Sequence, residues 1–97
     1  MTPLLSADAA KEVHIQSHES LKPLEAGMFN LVAGGTYEHY SGKRYHVIGL
    51  ARHTETNEEL VIYKSLDDGN LWVRPVAMFI ETISLNGSIQ PRFRLVE

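Results

Sequence analysis

The chain has 97 residues, 43% of them hydrophobic and 22% charged, with a net charge of -3 and no cysteine. Its length allows one domain, and its composition is ordinary for a soluble globular chain. No apolar run approaches the ~20 residues that a membrane-spanning helix needs, and the lack of cysteine removes disulfides, thiolate nucleophiles and thiolate metal ligands together.

The N-terminus, Met1-Thr2-Pro3-Leu4-Leu5, has neither the basic region nor the long apolar core of a signal peptide. The simplest expectation is a cytoplasmic protein with no membrane role. Residues 1-34 differ in character from the rest. They hold two lysines against Asp8, Glu12, Glu19 and Glu25. Leu5, Ala9 and Val13 fall on one helical face, with Ser6 placed to cap it and Asp8 in its first turn. His14 and His18 have the i, i+4 spacing of metal ligands. No third ligand stands near them, so a solvated face is the better reading and no metal is expected. Pro23 restarts the chain, and Leu24, Met28, Leu31 and Val32 fit a second short helix ended by Gly34-Gly35. A short strand over Met28 to Val32 competes with it.

From Thr36 the apolar period changes to two. Tyr37 and His39 alternate with Glu38 and Tyr40, and Ser41-Gly42 reads as a hairpin turn. In the strand Arg44 to His53, Tyr45, Val47, Gly49 and Ala51 fall on one face. His46, Ile48 and Leu50 fall on the other, and Gly49 marks a curl or bulge. Leu60 to Lys64 is the next strand. Leu66-Asp67-Asp68-Gly69-Asn70 is a turn. Leu71-Trp72-Val73-Arg74-Pro75, with the sole tryptophan, reads as the central strand. Val76 to Phe79 forms one helical turn. Glu81 to Leu85 and Ile89 to Val96 flank the hairpin signal Asn86-Gly87, and Pro91 points to an edge.

Five or six short strands in about 63 residues leave too little chain to cover a sheet with helices. Curling into a small closed barrel removes the open edges and encloses one core. The expectation is therefore a mainly β fold: an N-terminal extension, partly helical, over residues 1-34, and a small β-barrel of five or six strands over residues 35-97.

Several rare residues then recur in a familiar order. Gly35-Thr36-Tyr37-Glu38-His39-Tyr40-Ser41-Gly42-Lys43-Arg44-Tyr45 resembles the opening of the domain-of-unknown-function 1653 family. Gly49-Leu50-Ala51-Arg52 followed by His53-Thr54-Glu55 resembles its middle. Leu60-Val61-Ile62-Tyr63, Leu71-Trp72-Val73-Arg74-Pro75 with Met78-Phe79, and Pro91-Arg92-Phe93 resemble its later part. The resemblance spans residues 35 to 95. It implies an SH3-like β-barrel, found mostly in bacteria, and no known activity. One departure is Asp67, where members of that family often carry an aromatic.

Six of the rings in the barrel segment, Tyr37, Tyr40, Tyr45, Tyr63, Trp72 and Phe79, are weighed as core or groove. Tyr45, Tyr63 and Phe79 are assigned to the core. Tyr37, Tyr40 and Trp72 are the more open ones, and His39, Arg44 and Arg74 form a polar rim beside them. In an SH3-like barrel such rings line a groove for an extended peptide, or stack on bases. Arg74 either holds Glu55 or Glu81 in place or offers a fork to a carboxylate or phosphate. His53 and Glu55, two apart, are an acid-base pair or a loop that caps itself. Catalysis needs a nucleophile, metal or cofactor besides, and no glycine-rich phosphate loop or elbow serine is present.

The candidate ligand-binding set is Tyr37, His39, Tyr40, His53, Glu55, Trp72 and Arg74, with no catalytic residue, metal or cofactor assigned. The leading expectation is a non-catalytic binding module for a peptide or protein partner. The alternative is a nucleic-acid-binding barrel with Lys43, Arg44 and Arg52 against phosphate, although a basic excess is missing. The third is a small hydrolase using His53 and Glu55.

Overall fold

A computed structural model describes residues 21–97. A single 3-10 turn, Ala26–Phe29, precedes seven strands: β1 (Thr36–His39), β2 (Arg44–Arg52), β3 (Glu59–Ser65), β4 (Leu71–Pro75), β5 (Thr82–Leu85), β6 (Ser88–Pro91) and β7 (Phe93–Leu95). One helical turn, α1 (Val76–Phe79), follows β4. All pairings are antiparallel. Five strands form one sheet in the order β4-β3-β2-β1-β7, and β5 and β6 form a separate hairpin. The fold is mainly β. Among the described residues no helix is long and apolar enough to cross a membrane.

The turn chemistry works as the residues dictate. Gly42 and Gly69 adopt positive φ in their turns, and Asn86 and Gly87 both do so in the two-residue link between β5 and β6. Positive φ at both central positions is the backbone that matches strand twist. In the β3–β4 turn Asp68 accepts the Asn70 N–H at 3.0 Å, and that bond is the main reason its carboxyl sits below the ordinary aspartate range.

Within β2 the register shifts between Val47 and Gly49, the bulge that the glycine suggests. It also changes the face assignment. Tyr45 and Val47 face inward, but the extra residue at Ile48 brings Leu50 inward opposite Val61, where strict alternation puts it outward. A bulge reverses the parity of everything beyond it.

The core is Leu31, Tyr37, Val47, Val61, Tyr63, Val76, Phe79 and Phe93, with Ala26, Phe29, Tyr45 and Leu50 packed against it. Rings dominate it. Phe79 and Phe93 stack with centroids 4.0 Å apart. Tyr63 meets both edge-on, Tyr37 meets Phe79, and Tyr45 meets Phe93.

Four expectations are corrected. The barrel does not close: β4 and β7 remain the two edges of an open sheet. Side chains span the gap instead, since Phe79 from α1 stacks on Phe93 of β7 and the Arg74 guanidinium lies 5.5 Å from the Phe93 centroid. Rings this large hold two backbones too far apart to exchange hydrogen bonds.

Leu71–Pro75 is an edge strand, not the central one, because it pairs with β3 alone. The second helix is only the 3-10 turn: Gly27 stands inside it and Asn30 leaves it with left-handed φ of 58°. A glycine within and a left-handed exit together stop helix growth. The competing strand over Met28 to Val32 does not form either. Last, the run Ile89 to Val96 is two strands. β6 ends at Pro91, and after Arg92 the chain joins β1 as β7. The first helix and the His14/His18 pair lie outside the described residues.

Candidate functional site

Strand pairing decides which side chains share a face. On β3 the buried Val61 and Tyr63 face the core, and their partners across the ladder are Arg74 and Trp72. Directly opposed residues point to the same side of a sheet. Trp72 and Arg74 therefore belong to the inner face, at its open rim, while Leu71 and Val73 point outward. Leu71, Trp72 and Val73 are 63%, 52% and 61% exposed. Three consecutive apolar residues thus stand open on both faces of a strand whose second edge has no neighbour among the described residues. Native edges are usually blunted by charge, proline or a bulge. Here only Arg74 and Pro75 at its end do so.

On β1, Tyr37 and His39 also face inward. Tyr37 is 4% exposed and its hydroxyl accepts the Val32 N–H at 2.9 Å. Tyr37 is therefore buried rather than one of the more open rings, because the 3-10 turn and its exit cover it. His39 sits at the rim, 4.9 Å from the Phe93 centroid and 4.3 Å from the half-exposed Tyr40 ring. Its Nδ1 accepts the Ser41 N–H at 3.2 Å and bonds the Ser41 hydroxyl at 2.9 Å, which leaves Nε2 as the nitrogen carrying the proton of the neutral ring. Burial first, then the charges of Arg74 and Arg92, hold the His39 ring below the ordinary histidine range.

Phe93 is the residue that the sequence reading missed. It touches Phe79, Tyr45, Tyr63, His39 and Arg74. The signal was present in Pro91-Arg92-Phe93, but the strand there looked like a hairpin return rather than the closing strand of the main sheet.

The arginines have separate fates. Arg92 bonds Glu81 through Nη2 at 2.6 Å and Nε at 3.0 Å. On the outer face Arg94 and Arg44 flank Glu38 at 2.6 and 3.4 Å, as the register Arg94–Glu38–Arg44 across β7, β1 and β2 requires. Hydrogen bonding from Arg94 is the main reason that the Glu38 carboxyl lies below its usual range, with Arg44 adding to it. Arg74 bridges neither Glu55 nor Glu81, and among the described residues no carboxylate pairs with it.

His53 and Glu55 follow the end of β2, away from the end of β1 that carries His39. The His53 Nδ1 accepts the backbone N–H groups of Glu55 and Thr56 at 3.1 and 3.4 Å. The Glu55 carboxylate accepts the Thr54 hydroxyl at 3.4 Å. The loop caps itself, with no hydrogen bond between ring and carboxylate. Among the described residues no group of three histidine, aspartate or glutamate side chains is placed to hold a metal.

Two hollows flank the rim. One of about 450 Å³ lies among Phe29, Leu31, Tyr37, Phe79, Phe93 and Leu95; its walls are mostly apolar. A smaller one of about 240 Å³ is formed by His39, Tyr40, Gln90 and Pro91 beside the Glu38–Arg94 pair. His39, Tyr40, Trp72 and Arg74 are thus brought to the rim of the inner face, whereas Tyr37 is buried and His53 and Glu55 stand apart in their own loop.

A family model described as "Protein of unknown function (DUF1653)" matches residues 35–95. Among solved structures, the crystal structure of a protein belonging to that family from Bordetella bronchiseptica is similar, with 35% sequence identity and a TM-score of 0.61 over 67% of this chain and 87% of that one. No curated protein matches the chain.

Proposed function

The chain belongs to the DUF1653 family of proteins of unknown function, and within it we propose a non-catalytic binding module that takes an extended segment of a partner protein along the free edge of β4. The observation that carries this reading is the exposure of Leu71, Trp72 and Val73 together on an unpaired edge. An added strand gains main-chain hydrogen bonds from such an edge and reads alternate side chains on its two faces. Here Trp72 and Arg74 serve one face, and Leu71 and Val73 the other.

Under this reading the finer architecture is an SH3-like barrel left open along the β4–β7 seam. Support comes from the strand order, in which β1 sits between β2 and the last strand, and from the Phe79, Phe93 and Arg74 bridge. A cytoplasmic setting fits a chain without cysteine. The engagement of His53 by its own loop backbone favours binding over hydrolysis.

Capture from a lysate tests the reading. Wild type is expected to retain a protein that Trp72→Ala and Leu71→Lys do not, whether or not nuclease is added. Retention that nuclease abolishes would move the function to nucleic acid.

A further inference from the structure

We propose that the segment taken up along β4 carries a carboxylate side chain, received by Arg74 at the rim of the inner face; this rests on the strand-addition reading above. Arg74 is half-buried, with its guanidinium over the Phe93 ring. A guanidinium does not shed its proton, so a partly desolvated one costs free energy until an anion meets it. Among the described residues the two carboxylates weighed as its partners are engaged elsewhere: Glu81 holds Arg92, and Glu55 takes the Thr54 hydroxyl.

The local balance points the same way. Arg74 and Arg92 both act on the His39 ring, and among the described residues Glu81 neutralises Arg92 alone, which leaves a surplus of one positive charge there on a chain whose net charge is -3. This surplus does not form a track for a phosphate backbone, because Arg92 is engaged by Glu81, and Arg44 and Arg94 by Glu38 on the outer face. His39, beside Arg74 on the same Phe93 ring, is biased toward its neutral form by burial and by the charges of Arg74 and Arg92, and in that form offers a single N–H rather than a second cation. One free guanidinium with a neutral donor nearby suits a singly charged carboxylate better than a phosphate.

Position makes the site selective. Arg74 and Trp72 are two residues apart on one face, so an added strand sets an acidic residue against Arg74 and, two positions away, another side chain against the indole.

The probe is an acetylated, amidated heptapeptide, Thr-Val-Glu-Val-Leu-Val-Thr, compared with its Gln counterpart and with a ten-nucleotide oligothymidylate. Binding to the full chain is followed by amide and arginine Nε–H NMR shifts at constant ionic strength. The Glu peptide is expected to bind about tenfold tighter than the Gln peptide, the scale of one charged hydrogen bond. Arg74→Gln is expected to erase that ratio, and Trp72→Ala to weaken both peptides equally. Should Arg74→Gln fail to fold, Arg74→Lys, with charge but no fork, is expected to cut the ratio several-fold. An unchanged ratio in either variant overturns the proposal.

Equal binding of both peptides with shifts along β4 overturns the carboxylate and leaves strand addition standing. Binding of neither overturns the strand-addition reading beneath it. Oligothymidylate binding that Arg74→Gln abolishes overturns the carboxylate in favour of phosphate.

Discussion

His39 shows how one residue combines local bonding with long-range charge. Its Nδ1 is tied to Ser41, and Arg74 from β4 and Arg92 from the β6–β7 junction act on its ring, with Tyr40 beside it and the Glu38–Arg94 pair lining the adjoining hollow. Its folded-state pKa is depressed below the ordinary value of 6.5. The unfolded chain then binds more protons than the folded one just below that value, so acidification destabilises the fold. Its contribution is intact above pH 6.5 and is lost as pH falls toward the folded pKa. Asparagine can still accept the Ser41 N–H and does not titrate. His39→Asn is therefore expected to flatten the fall in urea-unfolding stability that begins below pH 6.5. A slope unchanged from wild type would remove the argument. Glu38 is also depressed, from an ordinary value of 4.5, so its share is present above that value and lost only at lower pH.

At the scale of elements, backbone conformation and packing do different jobs. The β5–β6 link needs positive φ at Asn86 and Gly87, 53° and 80°. An alanine at Gly87 meets no neighbour but is strained by its φ. The cost of a β-carbon there is about 1 kcal/mol. Gly87→Ala is expected to speed amide exchange within Thr82–Leu85 and Ser88–Pro91 by roughly fivefold, the ratio that ~1 kcal/mol implies. Gly49→Ala, with open space and an ordinary φ, is the control expected to show no such change. Gly35 is different in kind: its φ is unremarkable, but a β-carbon would come within 2.9 Å of Leu95 and 3.0 Å of the Val32 carbonyl. There the glycine serves the close approach of the 26–34 segment to β7.

For the whole molecule, the two sheets are unequal. β2 and β3 lie inside the five-stranded sheet and carry Val47, Val61 and Tyr63 of the core. The β5–β6 hairpin contributes no buried residue. Its anchors are the Arg92–Glu81 pair and the backbone bond between the same residues. Regions with few buried contacts open without global unfolding. Hydrogen exchange is expected to protect β2 and β3 most and the hairpin least. Uniform protection would mean that the hairpin unfolds only with the rest.

Which parts could be read in advance follows from the range of the forces. Strand positions up to Leu85, the turns at Gly42, Gly69 and Asn86-Gly87, and the bulge beside Gly49 depend on neighbours within a few residues, and the sequence alone determined them. Tyr45, Tyr63 and Phe79 were legible as core because large rings seek burial wherever they sit. Tertiary structure decided the rest: that Leu71–Pro75 lies at an edge, that Tyr37 is roofed by the segment before it, that Phe93 anchors the ring cluster, and that Arg74 finds no carboxylate among the described residues. Each of these depends on which distant strand becomes a neighbour, as when β7 pairs with β1 rather than extending the β5–β6 hairpin.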